Sequence, residues 1–459
     1  MIHRYKSNGY HIVIDGNSGS VHAVDELAYD VIGLYETKTA AEIVAAMLGK
    51  YKESPEISEG EILEVLSDIE ELKSQGKLFS EDDYDKAEFH LKKRQPVVKA
   101  LCLHIAHDCN LACTYCFAGK GEYEGGRALM SFAVGKQALD FLIANSGTRK
   151  NLEVDFFGGE PLMNFQVVKQ LVLYGREQEA LHEKKFRFTL TTNGVLLNEE
   201  VMEFSNREMH NIVLSMDGRK EVNDRMRSFR NGKGSYDMIL PKFKKMAAMR
   251  KQENYYIRGT YTHFNTDFSQ DILHMADLGF KQVAMEPVVA PPSAPYALKE
   301  EDLPRLCAEY EHLAVEMLKR SQKGEGFTFF HYMIDLAHGP CIVKRVSGCG
   351  VGAEYLAVTP WGDLYPCHQF VGNPDFLLGN VFDGVTNTAL REEFKDCNVY
   401  AREECRDCFA RFYCSGGCTA NAYHASGSIR GTYPLGCELH RKRIECAIMI
   451  KVAEACCAE

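Results

Sequence analysis

The sequence of 459 residues predicts an α/β chain: an open or partial barrel of parallel strands, with a small unit before it and a cysteine-rich unit after it. Three observations carry this prediction. From about residue 98 to 320, short apolar runs ending in Gly, Asn, Asp or Glu alternate with amphipathic segments, the pattern of a parallel sheet covered by helices. Residues 1 to about 90 show a hairpin followed by three helical periods. From about 340 to 459, cysteines cluster at spacings that suit metal rather than disulfides.

In the first unit, Tyr10 to Asp15 and Ser20 to Val24 are β-type stretches joined across Gly16-Asn17-Ser18-Gly19. Asp25 is placed to cap a helix carrying Leu27, Val31, Ile32 and Tyr35. Thr39 opens a second helix, and Ser58 to Gln75 forms a third that stops at Gly76. Hairpin plus three helices reads as an independent winged-helix unit. Over residues 1–95 it carries 11 basic and 19 acidic residues, a net −8, which would repel a phosphate backbone. The charged stretch Glu81 to Arg94, closed by Pro96, reads as a linker.

The barrel strands are expected after about residue 98 as Leu101 to Ile105, Leu152 to Phe157, Phe186 to Thr192, Ile212 to Met216, Tyr256 to Thr262 and Gln282 to Met285. Ligands of such barrels sit at the C-terminal strand ends. The first strand runs into Cys109-x3-Cys113-x2-Cys116. Three thiolates are one short of a closed structural zinc site. They suit a cubane iron–sulfur cluster held at three irons, with the fourth iron open. His104 and His107 could instead complete a zinc site. The second strand ends in Gly158-Gly159-Glu160-Pro161, where glycines permit close backbone approach and a carboxylate suits an ammonium group. The fourth ends in Ser215-Met216-Asp217-Gly218, with Arg227 ten residues past the aspartate. Taken alone, the glycines are an ordinary turn and Arg227 a solvated surface arginine.

The C-terminal region carries Cys405-x2-Cys408-x5-Cys414-x3-Cys418, then Cys437, preceded by Cys349-x12-Gly362-x4-Cys367. Seven cysteines can complete one four-thiolate cluster and hold a second by three. Two zinc ribbons are the alternative. Cys341 is either the missing fourth ligand or a spectator that leaves an iron open. Cys102, Cys307, Cys397, Cys446, Cys456 and Cys457 read as ordinary thiols.

Composition narrows the class. An apolar share of 45% with 25% charged residues is that of a soluble globular protein. There is no run of eighteen apolar residues, and Met1 to Tyr5 lacks a signal peptide's apolar core, so a cytoplasmic chain with no membrane partner is expected. A net charge of −11 argues against nucleic acid. Seventeen cysteines in a reducing compartment point to metal, and oxygen-labile clusters would suit an anaerobe.

Together, Cys109, Cys113 and Cys116, with Tyr115 before the last cysteine, resemble the signature of radical S-adenosylmethionine (SAM) enzymes. The resemblance implies a partial (β/α)6 radical SAM barrel whose three cysteines hold a catalytic [4Fe-4S] cluster. It assigns Gly158, Gly159 and Glu160 to the cofactor's amino group, and Ser215, Asp217 and Arg227 to its ribose and carboxylate. Val283 to Glu286 would pass the adenine. In that family the open iron chelates S-adenosylmethionine, and one electron releases a 5′-deoxyadenosyl radical that removes hydrogen from an unactivated carbon.

The C-terminal cysteines resemble the auxiliary-cluster domain called SPASM. By that resemblance Cys405, Cys408, Cys414 and Cys437 hold an outer cluster and Cys349, Cys367 and Cys418 an inner one, making three [4Fe-4S] clusters in all. The N-terminal unit resembles the peptide-recognition element typified by the pyrroloquinoline-quinone chaperone, which takes a leader peptide as an added strand. A purely structural role is the other reading. Anaerobic sulfatase-maturing enzymes carry an aspartate, proposed as their base, where this chain has His368, which counts against that activity. His368 is left as a proton acceptor or a hydrogen-bonded structural residue.

The three-part combination, with Asn8-Gly9-Tyr10 and Asn17 to His22, resembles the maturases of six-cysteine (SCIFF) peptides. This implies a ribosomally made, cysteine-rich precursor peptide bound through its leader, and a flavodoxin- or ferredoxin-type electron donor. The implied reaction is a thioether between a cysteine sulfur and a carbon of a nearby residue. Other radical modifications, carbon–carbon crosslinking or formylglycine formation, are the enzymatic alternatives. A zinc-dependent peptide-binding scaffold is the non-enzymatic one.

Overall fold

A computed structural model of the chain describes residues 1–54, 56–82, 97–123, 125–337 and 342–456. Three strands come first: β1 (Ile2–Ser7), β2 (Tyr10–Asp15) and β3 (Val21–Val24), antiparallel in that order. Helices α1 (Glu26–Leu34), α2 (Ala40–Lys50) and α3 (Glu59–Ser74) follow. Each begins where a side chain accepts an otherwise orphaned N–H. Asp25 caps α1, accepting from Ala28 at 2.7 Å, and Thr39/Glu42 and Ser58/Glu61 form capping boxes on α2 and α3. The apolar stripes of the helices meet Val13 in one small core.

That unit also packs against the rest of the molecule. Successive residues of β2 point to opposite faces. Val13 faces the helices, while Ile12 and Ile14 join the main core of the molecule. Strand β1 gave no signal in sequence because four of its six residues, His3, Arg4, Lys6 and Ser7, are polar. It forms because β2 pairs with it and the long helix Pro434–Cys456 lies against it. His3 Nε2 lies 2.8 Å from Glu445 Oε1, and the Tyr5 hydroxyl donates to the Glu445 carbonyl at 2.9 Å. Arg411, nearly fully buried, donates to Asn17 at 2.7 Å and pairs with Asp82 at 2.6 Å. Of the expected linker, only Glu81 and Asp82 are described.

The barrel strands are β4 (Ala100–Ala106), β5 (Asn151–Gly158), β6 (Lys185–Thr192), β7 (Asn211–Ser215), β8 (Tyr255–Tyr261) and β9 (Gln282–Pro287). They are all parallel and neighbour one another in chain order. Between them run α4 (Phe132–Asn145), α5 (Phe165–His182), α6 (Glu199–Glu208), α7 (Lys220–Met226), α8 (Tyr236–Met249) and α9 (Phe268–Asp277), and α10 (Leu303–Gln322) follows β9. Right-handed crossovers in an unbroken strand order put the helices on one face, leaving the other as the barrel interior. In β8 the division is plain. Tyr255, Ile257, Gly259 and Tyr261 are buried, with Tyr261 stacked on Phe268 of α9, whereas Tyr256, Arg258 and Thr260 face inward.

Both edges of this six-stranded sheet are extended. Strand β10 (Thr328–Phe329) pairs with β9, and β11 (Tyr355–Val358) lies parallel to β4 with Tyr355 opposite Ala100. Strands β12 (Asp363–Tyr365), β13 (Gly379–Asn380) and β14 (Gly384–Val385) continue outward, antiparallel. The cysteine-rich region is therefore sewn into the barrel sheet. Helix Pro434–Cys456 packs along α10, with Lys442 2.8 Å from Glu311. Among the described residues no helix is long and apolar enough to cross a membrane.

Candidate active site

The loop bearing Cys109, Cys113 and Cys116 leaves β4 at its C-terminal end and lies directly on the end of β5. Gly158 has φ +117°, and a Cβ there would strike the Ala106 carbonyl oxygen; one at Gly159 would strike that of Asp108. Only glycines allow this approach. The Gly159 and Glu160 amides donate to those same carbonyls at 2.8 and 2.9 Å. The pair thus seats the cysteine loop against the strand end.

Glu160, assigned by the resemblance to the cofactor's amino group, lies just past the end of β5. It is fully buried and turned inward, accepting from Leu162 N at 3.0 Å, Thr192 Oγ1 at 2.8 Å and Asn193 N at 2.8 Å. Burial pushes its carboxyl up to about 7 against those donors. It ties the ends of β5 and β6 together. Asn193, which the sequence reading did not single out, donates to Asn110 at 2.7 Å and lies 3.6 Å from the Cys109 sulfur. The signal was available, since Thr192-Asn193 is a polar pair at a strand end like the others.

A cavity of about 420 Å³ opens at these strand ends. It is lined by all three loop cysteines and by Tyr115, Gly158, Gly159, Ser215 and Arg227. Asp217, assigned by the resemblance to the cofactor's ribose and carboxylate, is wholly buried. The Tyr115 hydroxyl donates to Asp217 at 2.7 Å and accepts from Arg227 at 2.8 Å, while the Thr260 amide donates to Asp217 at 3.0 Å. Arg227 lies 4.0 Å from Asp217, so it is no solvated surface arginine. Its buried Nε has no partner among the described residues. Burial pushes the Cys109 thiol up to about 12, with Glu160, Cys113 and Cys116 adding to the shift, so the three thiols stand within electrostatic reach of one another.

The facing wall comes from the C-terminal region. His368 and Gln369 line the same cavity, as do Cys102 of β4 and Tyr355 of β11. His368 packs between Phe117 and Phe157, with centroids at 5.4 and 5.0 Å, and its Nδ1 has no partner among the described residues. Burial pushes the ring down to about 4, leaving it neutral. Cys367 lies within the field of Cys349 and Cys418, and Gln369 Nε2 is 3.8 Å from the Cys418 sulfur. A second cavity, about 190 Å³, is lined by Cys405, Cys408, Cys414 and Cys437.

Each expected cysteine set is thus brought together. Cys341 lies outside the described residues. His104 and His107 face one another at 3.0 Å, fully buried beside Tyr123. Among the described residues no three His, Cys, Asp or Glu side chains are posed around a single ion. Thiols grouped around cavities, beside a guanidinium with a free donor, fit iron–sulfur clusters and a carboxylate-bearing cofactor.

The fold and this site define a radical SAM enzyme with an auxiliary-cluster domain. The radical SAM superfamily model matches residues 103–278, and that of the iron–sulfur cluster-binding domain SPASM matches residues 349–409. An uncharacterized protein of Methanocaldococcus jannaschii is 31% identical over 315 residues, covering 67% of this chain and 96% of that protein. The chain belongs to the radical SAM superfamily and carries a SPASM domain. The cysteine-type anaerobic sulfatase-maturating enzyme of Clostridium novyi is 25% identical, over 68% of this chain and 86% of that one. The subtilosin biosynthesis protein AlbA of Bacillus subtilis is 23% identical, over 84% and 83%. Among solved structures, anSMEcpe with bound AdoMet and a peptide superposes with a TM-score of 0.66 at 20% identity, covering 79% of this chain and all of that one. SuiB of Streptococcus suis with S-adenosylmethionine gives 0.55 at 17%, over 94% and 97%.

Proposed function

We propose that this chain installs a thioether between a cysteine sulfur and a carbon of a nearby residue in a ribosomally made cysteine-rich peptide of the SCIFF type. The observation that carries the reading is the shared cavity. Cys109, Cys113 and Cys116 form one wall, and His368 and Gln369, beside Cys367 and Cys418, form another. A peptide there meets the groups for hydrogen removal and those near a second thiolate set at once. Cys109, Cys113 and Cys116 would hold the catalytic cluster, Cys405, Cys408, Cys414 and Cys437 the outer one, and Cys349, Cys367 and Cys418 the inner one. When bound, the clusters and S-adenosylmethionine supply one-electron chemistry that removes a hydrogen atom from carbon.

The chain's own residues do the rest. Arg227, held by Tyr115 and Asp217, binds the cofactor's carboxylate, with Ser215 beside it. Asn193 braces Cys109. Phe117 and Phe157 pack against His368 and keep its surroundings apolar, so that neutral His368, with Nδ1 unpartnered among the described residues, orients the substrate thiol by a hydrogen bond. The edge strand β3 and the acidic N-terminal unit would receive the leader. AlbA's name ties it to subtilosin biosynthesis, and SuiB has been solved with its precursor peptide, which supports a peptide substrate here.

The test is anaerobic loading with iron and sulfide, then reaction with S-adenosylmethionine, a flavodoxin-type donor and a cysteine-rich peptide. About twelve irons per chain and a product two hydrogens lighter with one thiol gone are expected. The same mass loss with every thiol still titratable would replace this reading with carbon–carbon crosslinking.

A further inference from the structure

The inner face of β8 carries a charge that the proposed reaction leaves unused. Arg258 is the central residue of the strand and its one exposed member, between buried Ile257 and Gly259. The pleat turns it into the barrel, next to its register partner Ser215 of β7, and it lines the cavity that Cys109, Cys113 and Cys116 line. Among the described residues its guanidinium makes no hydrogen bond or ion pair.

The other charged groups of this wall are committed elsewhere. Arg227 is held by Tyr115 and Asp217. Glu286, two residues beyond Arg258's partner Ala284 on β9, has its oxygens 3.3 Å from His331 Nε2 and 3.7 Å from Arg443 Nη1. Although burial opposes ionisation, the fields of His331, Arg443 and Arg258 hold its carboxyl down to about 2. The remaining acid, Asp155 of β5, is pushed the other way, up to about 7, by burial. Among the described residues Arg258 therefore has no carboxylate in hydrogen-bond or ion-pair contact, Glu286 acting on it only at a distance while contacting His331 and Arg443. A guanidinium is a rigid planar fork of donors that matches a carboxylate two bonds at a time.

We propose that Arg258 selects the peptide by anchoring a carboxylate on the segment that enters the cavity, either an Asp or Glu side chain near the reacting cysteine or the peptide's own terminal carboxylate. This rests on the maturase reading and adds the acidic character of the substrate to it. Because Arg258 is the exposed member of its strand at the cavity wall, R258Q leaves the buried residues of β8 unchanged.

The experiment uses full-length, cluster-loaded protein with S-adenosylmethionine. The probes are labelled synthetic cysteine-containing peptides bearing Asp, Asn or Lys at one position, each as free acid and as terminal amide, and binding is followed by fluorescence anisotropy. The wild type should bind the Asp peptide about 10- to 100-fold more tightly than the Asn peptide. R258Q should erase that gap, R258K should keep part of it, and R258E should favour the Lys peptide. A gap that follows acid against amide instead assigns the terminal carboxylate. Equal binding of all peptides by wild type and R258Q overturns the proposal. So does an R258Q protein that loses S-adenosylmethionine binding but keeps its peptide preference, since Arg258 would then serve the cofactor. If wild type shows the charge preference yet modifies no peptide, the maturase reading fails while the anchor stands.

Discussion

At Gly159 one methyl group would meet the Asp108 carbonyl oxygen, so Gly159→Ala should force the cysteine loop off the strand end. We expect a loss of about 1–3 kcal/mol in stability, the usual cost of overpacking, together with lower iron incorporation. Chemical denaturation and iron analysis of the variant check both. Asp155 gives a pH signature. Burial raises its carboxyl from 3.8 to about 7, so the folded chain holds that proton more tightly than the unfolded chain does. The stability this contributes is full below about pH 4 and is lost as pH rises through about 7. Asp155→Asn should flatten that part of the profile by about 1–2 kcal/mol, discounted because cavity water reaches the half-buried side chain. Denaturation midpoints from pH 4 to 8 decide it. The Gly-Gly-Glu and Asp-Gly strand ends were legible in sequence as a site, but the direction in which each carboxylate turns was not. Glu160 and Asp217 face inward because backbone amides and hydroxyls there need acceptors, a demand that exists only once the strands are assembled.

Elements were legible in proportion to their length. Helices α1 to α3 and the six barrel strands carry strong periodicity and explicit caps, and they appear where the pattern put them. Strands of two to four residues, such as β10 and β11, are too short to show a period. Strand β1 is held by partners that lie far along the chain. Those partners make the N-terminal unit part of the main body, and Arg411 is the clearest fastener. Arg411→Ala would leave Asp82 with the Tyr400 hydroxyl but without this cation, and Asn17 short of a donor, a change of about 1–3 kcal/mol because Asp82 is part-exposed. Residues 1–82 should then open at lower denaturant than the barrel. Hydrogen exchange in β1 and β2 would rise ahead of that in β5 and β6. Uniform exchange across both would contradict the fastener role.

Over the whole molecule, two long-range seams close the architecture. Lys99, beside β4, meets Glu354, beside β11, across 255 residues of chain, and His3 meets Glu445 across 442. The first seam joins the radical barrel to the cysteine-rich region through a shared sheet, which is why the far wall of the cavity belongs to the C-terminal part. It also sets a timetable for biosynthesis. As the ribosome emits the chain, β4 presents a bare edge until residue 355 has been translated, and β1 has no surface to settle on until the final long helix exists. Contacts of such sequence separation form slowly, and an unpaired edge is a template for joining the wrong chain. The nascent polypeptide is therefore most exposed to aggregation while its barrel is complete in sequence but open in space, so shielding by chaperones through that interval would govern how much of it reaches the folded state.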